Sequence, residues 1–495
     1  MTKKSYILAL DQGTTSSRAI IFSEKGEFIA SAAETYRQIY PHDGWVEHEA
    51  QAIWQTTINS ARAVLARAQL AANEILALGI SNQRETTIVW DKDTGNAIYN
   101  AIVWQDRRTA KFCEKLQQDA NIVASVHAKT GLLLDPYFSA SKIAWLLDNV
   151  DGAREKAEAG QLCFGTVDSF LLWHLTGGKE FATDATNASR TLLFNIVEQC
   201  WDDELLALFN IPKQLLPEVK NSADNFGVTN AKHFGAEIAI NALIGDQQAA
   251  LVGQACFAKG MMKATYGTGG FVMVNTGAKP VWSKHKMLTT LAYRINHQSC
   301  YALEGSIFMA GATMQWLRDE LHLLTDVASS QALAQSLVGE NSVYLVPAFT
   351  GLGAPHWQPE ARGAIVGLNR DSGIKEIVNA ALASVAYQTQ DLLMAMAQDG
   401  IKTTQLRVDG GMVVNDWLLQ FLADILALTI ERPKITETSA LGAALLAGLQ
   451  HGLFSSLEQA AQSWQLQASY RPTMSAASRQ RHYQGWLAAL QRVKD

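Results

Sequence analysis

Two corners of this chain carry more chemistry than a reversal of direction requires. Between apolar runs at 6–10 and 19–22 lie Asp11, Gln12, Gly13, Thr14, Thr15, Ser16, Ser17 and Arg18, polar or small residues where two or three would turn the chain. A polyphosphate needs converging backbone N–H groups, hydroxyl donors and a cation. Gly13 lets the backbone approach and permits positive φ, Thr14, Thr15 and Ser16 add hydroxyls, and Arg18 brings a fork of donors. A second corner, YGTGG at 266–270, offers the same chemistry through Gly267, Thr268, Gly269 and Gly270. One such corner reads as a turn; two in matching positions, one preceded by Asp11 at a strand end, read as a clasp for one anion. The phosphate loop G-x-x-x-x-G-K-[ST] is missing, no G-x-G-x-x-G opens a helix after a strand, and no H-E-x-x-H or serine-hydrolase pattern occurs. If nucleotide binds here, hairpins hold it.

The elements around the corners repeat. YILALD, RAIIFS and FIASAAETY read as a three-stranded meander, with Lys25 and Gly26 suited to its tight turn. A helix at about 50–70 follows, then strand, polar corner and strand in ILALGISNQRETTIVWD. The stretch from about 110 to 240 is helix-rich and reads as an insertion, after which MMKATYGTGGFVMVNT begins a second round of strand, corner, strand. TTQLRVDGGMVVNDWLLQFLADIL predicts a strand, a glycine pair and a helix capped by Asn415. ETSALGAALLAGLQHG predicts a helix capped by Ser439 and ended by Gly452, with Gly442, Ala443, Ala444 and Ala447 small enough for a neighbouring backbone to come close.

The chain has 495 residues, 48% of them hydrophobic, which exceeds what one core usually organises; two domains with a cleft between them follow, divided as 1–253 and 254–495. A net charge of −6 leaves no field to recruit nucleic acid or an anionic membrane, so the expected partner is small. Five scattered cysteines without zinc-like spacing fit a reducing cytoplasm, and no apolar stretch approaches the roughly 20 residues of a spanning helix.

With DQGTTSSR, SNQRETTIVWD, WQDRR, GDQQAAL, YGTGGF and DGGMVVN in this order, the sequence resembles the FGGY carbohydrate-kinase family over essentially its full length. The stretches at 137–149 and 363–388 are also similar to the family's patterns. Within the family, Arg84-Glu85, Trp104 in WQDRR and GDQQ together resemble the branch acting on glycerol. The resemblance implies an α/β fold of two ribonuclease H-like domains, as in actin, Hsp70 and sugar kinases, with mixed sheets and an interdomain cleft. It implies the catabolic reaction of glycerol with ATP, assisted by Mg²⁺, giving ADP and sn-glycerol 3-phosphate, and a homo-oligomer is the expected assembly. The alternatives are a kinase of another polyol or ketose and a non-enzymatic nucleotide-dependent protein of the actin or Hsp70 kind.

A neutral triol needs donors, acceptors and a flat surface for its carbons. By resemblance Arg84, Glu85, Tyr137, Asp246 and Gln247 contact the hydroxyls, while Trp104 and Phe271 lie against the CH edges. Asp246 is the expected base for the attacking hydroxyl and Asp11 the expected holder of Mg²⁺. Thr14, Thr15, Ser16, Arg18 and Thr268 are expected at the phosphates, with Gly311, Gln315, Gly411 and Asn415 lining the nucleoside pocket. Each has a plainer reading: a solvated ion pair for Arg84 and Glu85, core packing for Trp104, a loop anchor for Tyr137, a helix N-cap for Asp246, a buried ion pair for Asp11, and a strand-to-helix turn for the glycine pair. Two regulatory features of some members are altered here: the glycine-rich stretch before GDQQ reads TNAKHFGAEIAI, with Glu237 where an arginine is expected, and the C-terminal RPTMSAASRQRHY has no carboxylate.

Overall fold

A computed structural model describes residues 5–358 and 360–494. Two mixed sheets organise it. The first comprises β1 (Tyr6–Gln12), β2 (Ser16–Ser23), β3 (Phe28–Thr35), β4 (Ile75–Asn82) and β5 (Ile240–Gly245), in the order β5-β4-β1-β2-β3. Here β1, β2 and β3 form the expected antiparallel meander, and β4 and β5 add on in parallel. The second comprises β6 (Met261–Tyr266), β7 (Gly270–Gly277), β8 (Leu288–Ile295), β9 (Gln298–Ile307), β10 (Gln405–Asp409), β11 (Ile430–Pro433) and β12 (Leu466–Tyr470), in the order β8-β9-β7-β6-β10-β11-β12. At its centre β6, β7 and β9 repeat the antiparallel trio, with β8 intervening in sequence and pairing on the outer side of β9, and β10 and β11 repeat the parallel addition. Both halves thus follow the ribonuclease H-like plan, and in each the corner of interest joins the first two strands.

Period-two alternation explains how each sheet is covered. On β1, Leu8 and Leu10 face a core that includes Ile53, Ile58 and Val64 of α1 (Ala50–Ala68). Ile7 and Ala9 face the opposite way, with Ile20, Phe22, Ala77 and Ile244. That second face is covered by α2 (Asp246–Gly253) and by α6 (Thr438–His451), the latter contributed by the other half of the chain. Met273 of β7 and Ala302 of β9 join the same cluster, so one core is shared by both sheets. The two helices touch through backbone: a Cβ on Gly442 would lie 1.9 Å from the Ala249 carbonyl oxygen, and one on Gly253 2.0 Å from that of Thr438. The small residues of α6 serve the close approach their size suggests.

The second half completes itself with α3 (Gly311–Asp319), α4 (Ile374–Gln398) and α5 (Asp416–Leu426). Asn415 caps α5 as expected, accepting from the Leu418 N–H at 3.0 Å. Ser439 is not a cap: Glu437 occupies the N-cap position of α6, and the Ser439 hydroxyl donates to the Asp246 carbonyl at 3.1 Å. Ser439 is already inside the first turn, where its hydroxyl reaches across to α2 and ties the two helices together. The insertion is helical at Ala110–Gln117, Ala120–Thr130, Ser139–Asn149 and Val167–Thr176. Strand Ile88–Asp91 pairs with Leu162–Gly165 of that insertion rather than with the first sheet. Among the described residues no helix is long and apolar enough to cross a membrane, and none of the five cysteines is in a disulfide.

Candidate active site

Strand register brings the key positions to one edge. Asp11 and Ser81 are partners across β1 and β4, Ser81 and Ile244 across β4 and β5, and one step on Gln12, Asn82 and Gly245 align. The corner after β4 and the start of α2 therefore stand side by side at the carboxyl ends of parallel strands, where open α/β sheets hold ligands. Arg84 and Asp246 meet there, with Nε 3.2 Å from Oδ1. Asp246 is the first helical residue rather than the cap, which is Gly245. Its carboxylate accepts from the Gln247 backbone N–H at 2.7 Å and from the Gln247 side chain at 3.1 Å. A Cβ on Gly245 would sit 2.8 Å from the Arg84 side chain, so the glycine makes room for the guanidinium.

Arg84 and Glu85 are 3% and 1% exposed, which rules out the solvated ion pair. Arg84 points to Glu304 of β9, its Nη1 and Nη2 at 2.5 and 3.2 Å from the two carboxylate oxygens. Arg190 completes the network, donating to Glu85 Oε1 at 2.6 Å and Glu304 Oε1 at 2.9 Å. Burial works against ionising Glu304, but Arg190 and Arg84 outweigh it and hold the carboxyl down at about 2. Burial pushes Glu85 the other way, since it shares Arg190 with a nearby like charge. Aromatic rings wall this network: Phe271 lies 5.9 Å from the Arg84 guanidinium carbon, and Trp104 stands edge-on to Tyr137 at 5.6 Å and to Phe271 at 6.1 Å. Tyr137 also faces Arg190 at 5.7 Å. All seven residues expected to meet the substrate thus form one cluster, with Phe271 supplied by the second half.

The first corner abuts that cluster, for Trp104 Nε1 donates to Thr14 Oγ1 at 3.0 Å. Gly13 N–H donates to the Ser16 carbonyl at 2.9 Å, closing the turn, and Thr15 is exposed. Arg18 departs from expectation: its guanidinium pairs with Glu437, at the start of α6, rather than lying open to an anion. In the second corner Thr268 is exposed, and its carbonyl accepts from Ala310 and Ala312 N–H at 3.0 Å. Gly311 N–H donates to the Gly267 carbonyl at 2.9 Å, placing the start of α3 against the turn. Gly410, at φ +93°, approaches Tyr266 so closely that a Cβ would lie 2.5 Å from its carbonyl oxygen, which sets Gly411 beside the same corner. Gln315 is exposed one turn along α3, and Asn415 spends its side-chain oxygen on α5 while its Nδ2 reaches Ser330 Oγ at 3.4 Å.

Electrostatics single out Asp11. Burial first, then the like charges of Glu437 and Asp246, push its carboxyl up to about 7, with Arg18 acting in the opposite sense. Among the described residues no three acidic, histidine or cysteine groups could ligate a metal directly, although the charges of Glu437 and Asp246 are felt at Asp11. A cation held by one carboxylate, phosphate oxygens and water meets both facts, which is how magnesium is commonly bound.

Sequence reasoning missed Arg190, Glu304, Lys263 and Asp409. Glu304, Lys263 and Asp409 had a signal, because a charge inside the strand stretches YALEGSI, MMKATYG and LRVDGG cannot be buried without partners; Arg190 had none. Asp409 accepts from Gln254 at 2.8 Å and from Thr438 at 2.7 Å, tying β10 to α2 and α6.

Comparison with known proteins agrees with this geometry. The profile of the FGGY family of carbohydrate kinases, N-terminal domain, matches residues 6–253, and that of its C-terminal domain matches 262–451. The chain is 58% identical over 489 residues to a protein of Alteromonas mediterranea named glycerol kinase, covering 99% of both. It is also 58% identical to glycerol kinase 1 of Pseudomonas aeruginosa, again covering 99% of both. Its fold superposes on the crystal structure of Plasmodium falciparum glycerol kinase with ADP at a TM-score of 0.91 and 35% identity, covering 99% of this chain and 98% of that one. A xylulose kinase from Lactobacillus acidophilus shares the fold at a TM-score of 0.88 with 22% identity, covering 99% and 98%. The chain belongs to the FGGY family of carbohydrate kinases.

Proposed function

We infer that this protein transfers the γ-phosphoryl group of ATP to glycerol, giving ADP and sn-glycerol 3-phosphate. The observation that carries the choice of substrate is the balance of its pocket. Two arginines, Arg84 and Arg190, face two glutamates, Glu85 and Glu304, in a buried network in which Arg84 also meets Asp246, leaving no surplus positive charge, walled by Trp104, Tyr137 and Phe271. A charged sugar acid or sugar phosphate would meet no compensating group there, whereas a neutral triol finds donors, acceptors and ring faces. Full-length identity of 58% to proteins named glycerol kinase supports the same choice over a ketose kinase.

In this reading Asp246 is the base. Gln247 and Arg84 hold its carboxylate in place, so that it takes the proton of the attacking hydroxyl as the bond to the γ-phosphorus forms. Arg84, Glu85, Tyr137 and Gln247 orient the hydroxyls; Trp104 and Phe271 pack on the carbons. Thr14, Thr15, Ser16 and Thr268 bind phosphates, joined by Arg18 once a phosphate displaces Glu437. Gly311, Gln315, Gly411 and Asn415 bound the nucleoside site. Mg²⁺, with Asp11 as its protein ligand, would screen the phosphate charge. Because residues of both halves bound the site, closing them excludes water, the competing acceptor. We assign the site to domains 1–253 and 254–495, the place of action to the cytoplasm and the assembly to a homo-oligomer. Phe28 and Ile29, 46% and 43% exposed on the edge strand β3, favour the last; light scattering tests it.

Asp246→Asn tests the mechanism: turnover is expected to fall by roughly 10³-fold or more while calorimetric glycerol affinity stays within about threefold. A near-normal rate removes Asp246 as base. Phosphorylation across a polyol panel tests the substrate, since preference for a five-carbon ketose overturns glycerol. Turnover of ATP that ignores glycerol would instead favour a nucleotide-driven protein of the actin or Hsp70 kind.

A further inference from the structure

Lys263 sits in the middle of β6, fully buried, and its ammonium is a charge for which the mechanism above has no use. Its hydrogen-bond partners are neutral oxygens: Gln247 Oε1, Thr265 Oγ1 at 3.0 Å and the Phe271 carbonyl at 3.5 Å. A buried charge bonded only to neutral groups is costly, and such groups concentrate at functional sites. The first partner is informative. Lys263 belongs to the second sheet, whereas Gln247 belongs to α2, beside the base, and the Gln247 amide passes the contact on by donating to Asp246 Oδ2 at 3.1 Å. With the ammonium fixing Oε1, the amide cannot flip, and only its NH₂ can face the carboxylate. Oδ1 is fixed separately by the Gln247 backbone and Arg84.

We propose that Lys263 is a positioning residue for phosphoryl transfer, reaching from the second half to lock the Gln247 carboxamide and, through it, the orientation of the Asp246 carboxylate. The inference rests on Asp246 being the base. It makes base orientation depend on how the halves meet, since β6 carries the lock and α2 the base. The lock needs the protonated amine. Burial pushes Lys263 down to about 8, against the attraction of Asp409 of β10, Asp246 of α2 and Glu304 of β9, with Arg84 adding repulsion. The charge is therefore lost as pH rises through that value.

The test is a double-mutant cycle of Lys263→Met and Gln247→Met, with Lys263→Arg as the conservative variant. Lys263→Met is expected to lower kcat roughly 30-fold, within the range a misplaced catalytic group costs, and to leave glycerol Kd within about threefold. Lys263→Arg, which keeps the charge, should recover at least a third of parental kcat. Adding Gln247→Met to Lys263→Met should cost little further kcat, because both cut one connection to the base, while the hydroxyl contact that Gln247 itself makes is lost in KM. The parental kcat/KM should decline above pH about 8, and that decline should be absent in Gln247→Met, where the lock is already gone. Parental kcat in Lys263→Met, additive losses in the cycle, or an unchanged alkaline limb in Gln247→Met each overturn the proposal. If Lys263→Met does not fold, the pH profiles of the parent and Gln247→Met decide alone. Asp246→Asn separates the two levels: if it is inactive while Lys263→Met is normal, the base stands and the lock falls.

Discussion

The two phosphate corners share a strand-turn-strand plan but are braced by different means. The first adds side chains to its backbone bonds from Tyr36 N–H to Thr15 and Gln83 N–H to Gln12: the Gly13 carbonyl accepts from the Tyr36 hydroxyl at 2.5 Å, Gln12 at 2.8 Å and Gln83 at 3.3 Å, and the Thr14 carbonyl accepts from Gln38 at 3.0 Å. The second is held by backbone, through the N–H groups of Ala310, Gly311 and Ala312 at the start of α3. Side-chain bracing is redundant, since three groups share one carbonyl. Backbone bracing is not, because it needs two main chains in contact and tolerates no Cβ between them. Equal chemistry thus comes with unequal tolerance to substitution.

That inequality can be broken by experiment. The largest effect is expected from Gly311→Ala, whose new Cβ would lie 2.6 Å from the Gly267 carbonyl oxygen and push the second corner away from α3. We expect kcat/KM for ATP to drop roughly 100-fold, with calorimetric glycerol affinity preserved. Tyr36→Phe removes the shortest brace of the first corner yet leaves Gln12 and Gln83, so steady-state kinetics should show ATP kcat/KM reduced only about fivefold. A larger loss in Tyr36→Phe than in Gly311→Ala would reverse the comparison. The smallest effect sharpens it by showing how the scaffold behind the first corner is buried. Burial, aided by Asp184, pushes Asp168 up to about 7, and hydroxyls of Thr166 and Thr183 bond its oxygens at 2.5 and 2.6 Å. The folded chain keeps a proton that the unfolded chain releases. This stabilisation is therefore full below the ordinary aspartate value of 3.8 and lost as pH rises through about 7. Scanning calorimetry should find Asp168→Asn gaining on the parent by a few degrees in Tm between pH 5 and pH 8, roughly what such a linkage yields in domains of this size. A pH-independent difference would show that Asp168 is ionised in the fold.

The strands, the corners and the cap at Asn415 were legible because each is written locally: alternation, Gly with Thr, Asn before a helix. The substrate residues were legible only through resemblance, and Arg84 illustrates why. Its partner Glu304 lies 220 residues away, a separation no periodicity reports. Arg18 shows the converse, in which the residue type is legible but its partner Glu437 is out of sight. Ser439 looked like a cap because helix starts favour serine, and only the packing of α2 against α6 redirects it. Charges inside apolar strands, as at Lys263 and Glu304, were the one local sign left unread.

The crossing of α6 onto the first sheet also dictates an order of events during synthesis. All five strands of that sheet have been synthesised once residue 245 is added and α2 follows at once, but the other helix that covers Ile7, Ile20, Phe22 and Ile244 is encoded at 438–451. Until translation nears its end, the nascent chain carries an oily surface that α2 covers only in part, in need of shelter from its neighbours. A message truncated after the first half would yield a polypeptide that clumps, however complete its sheet.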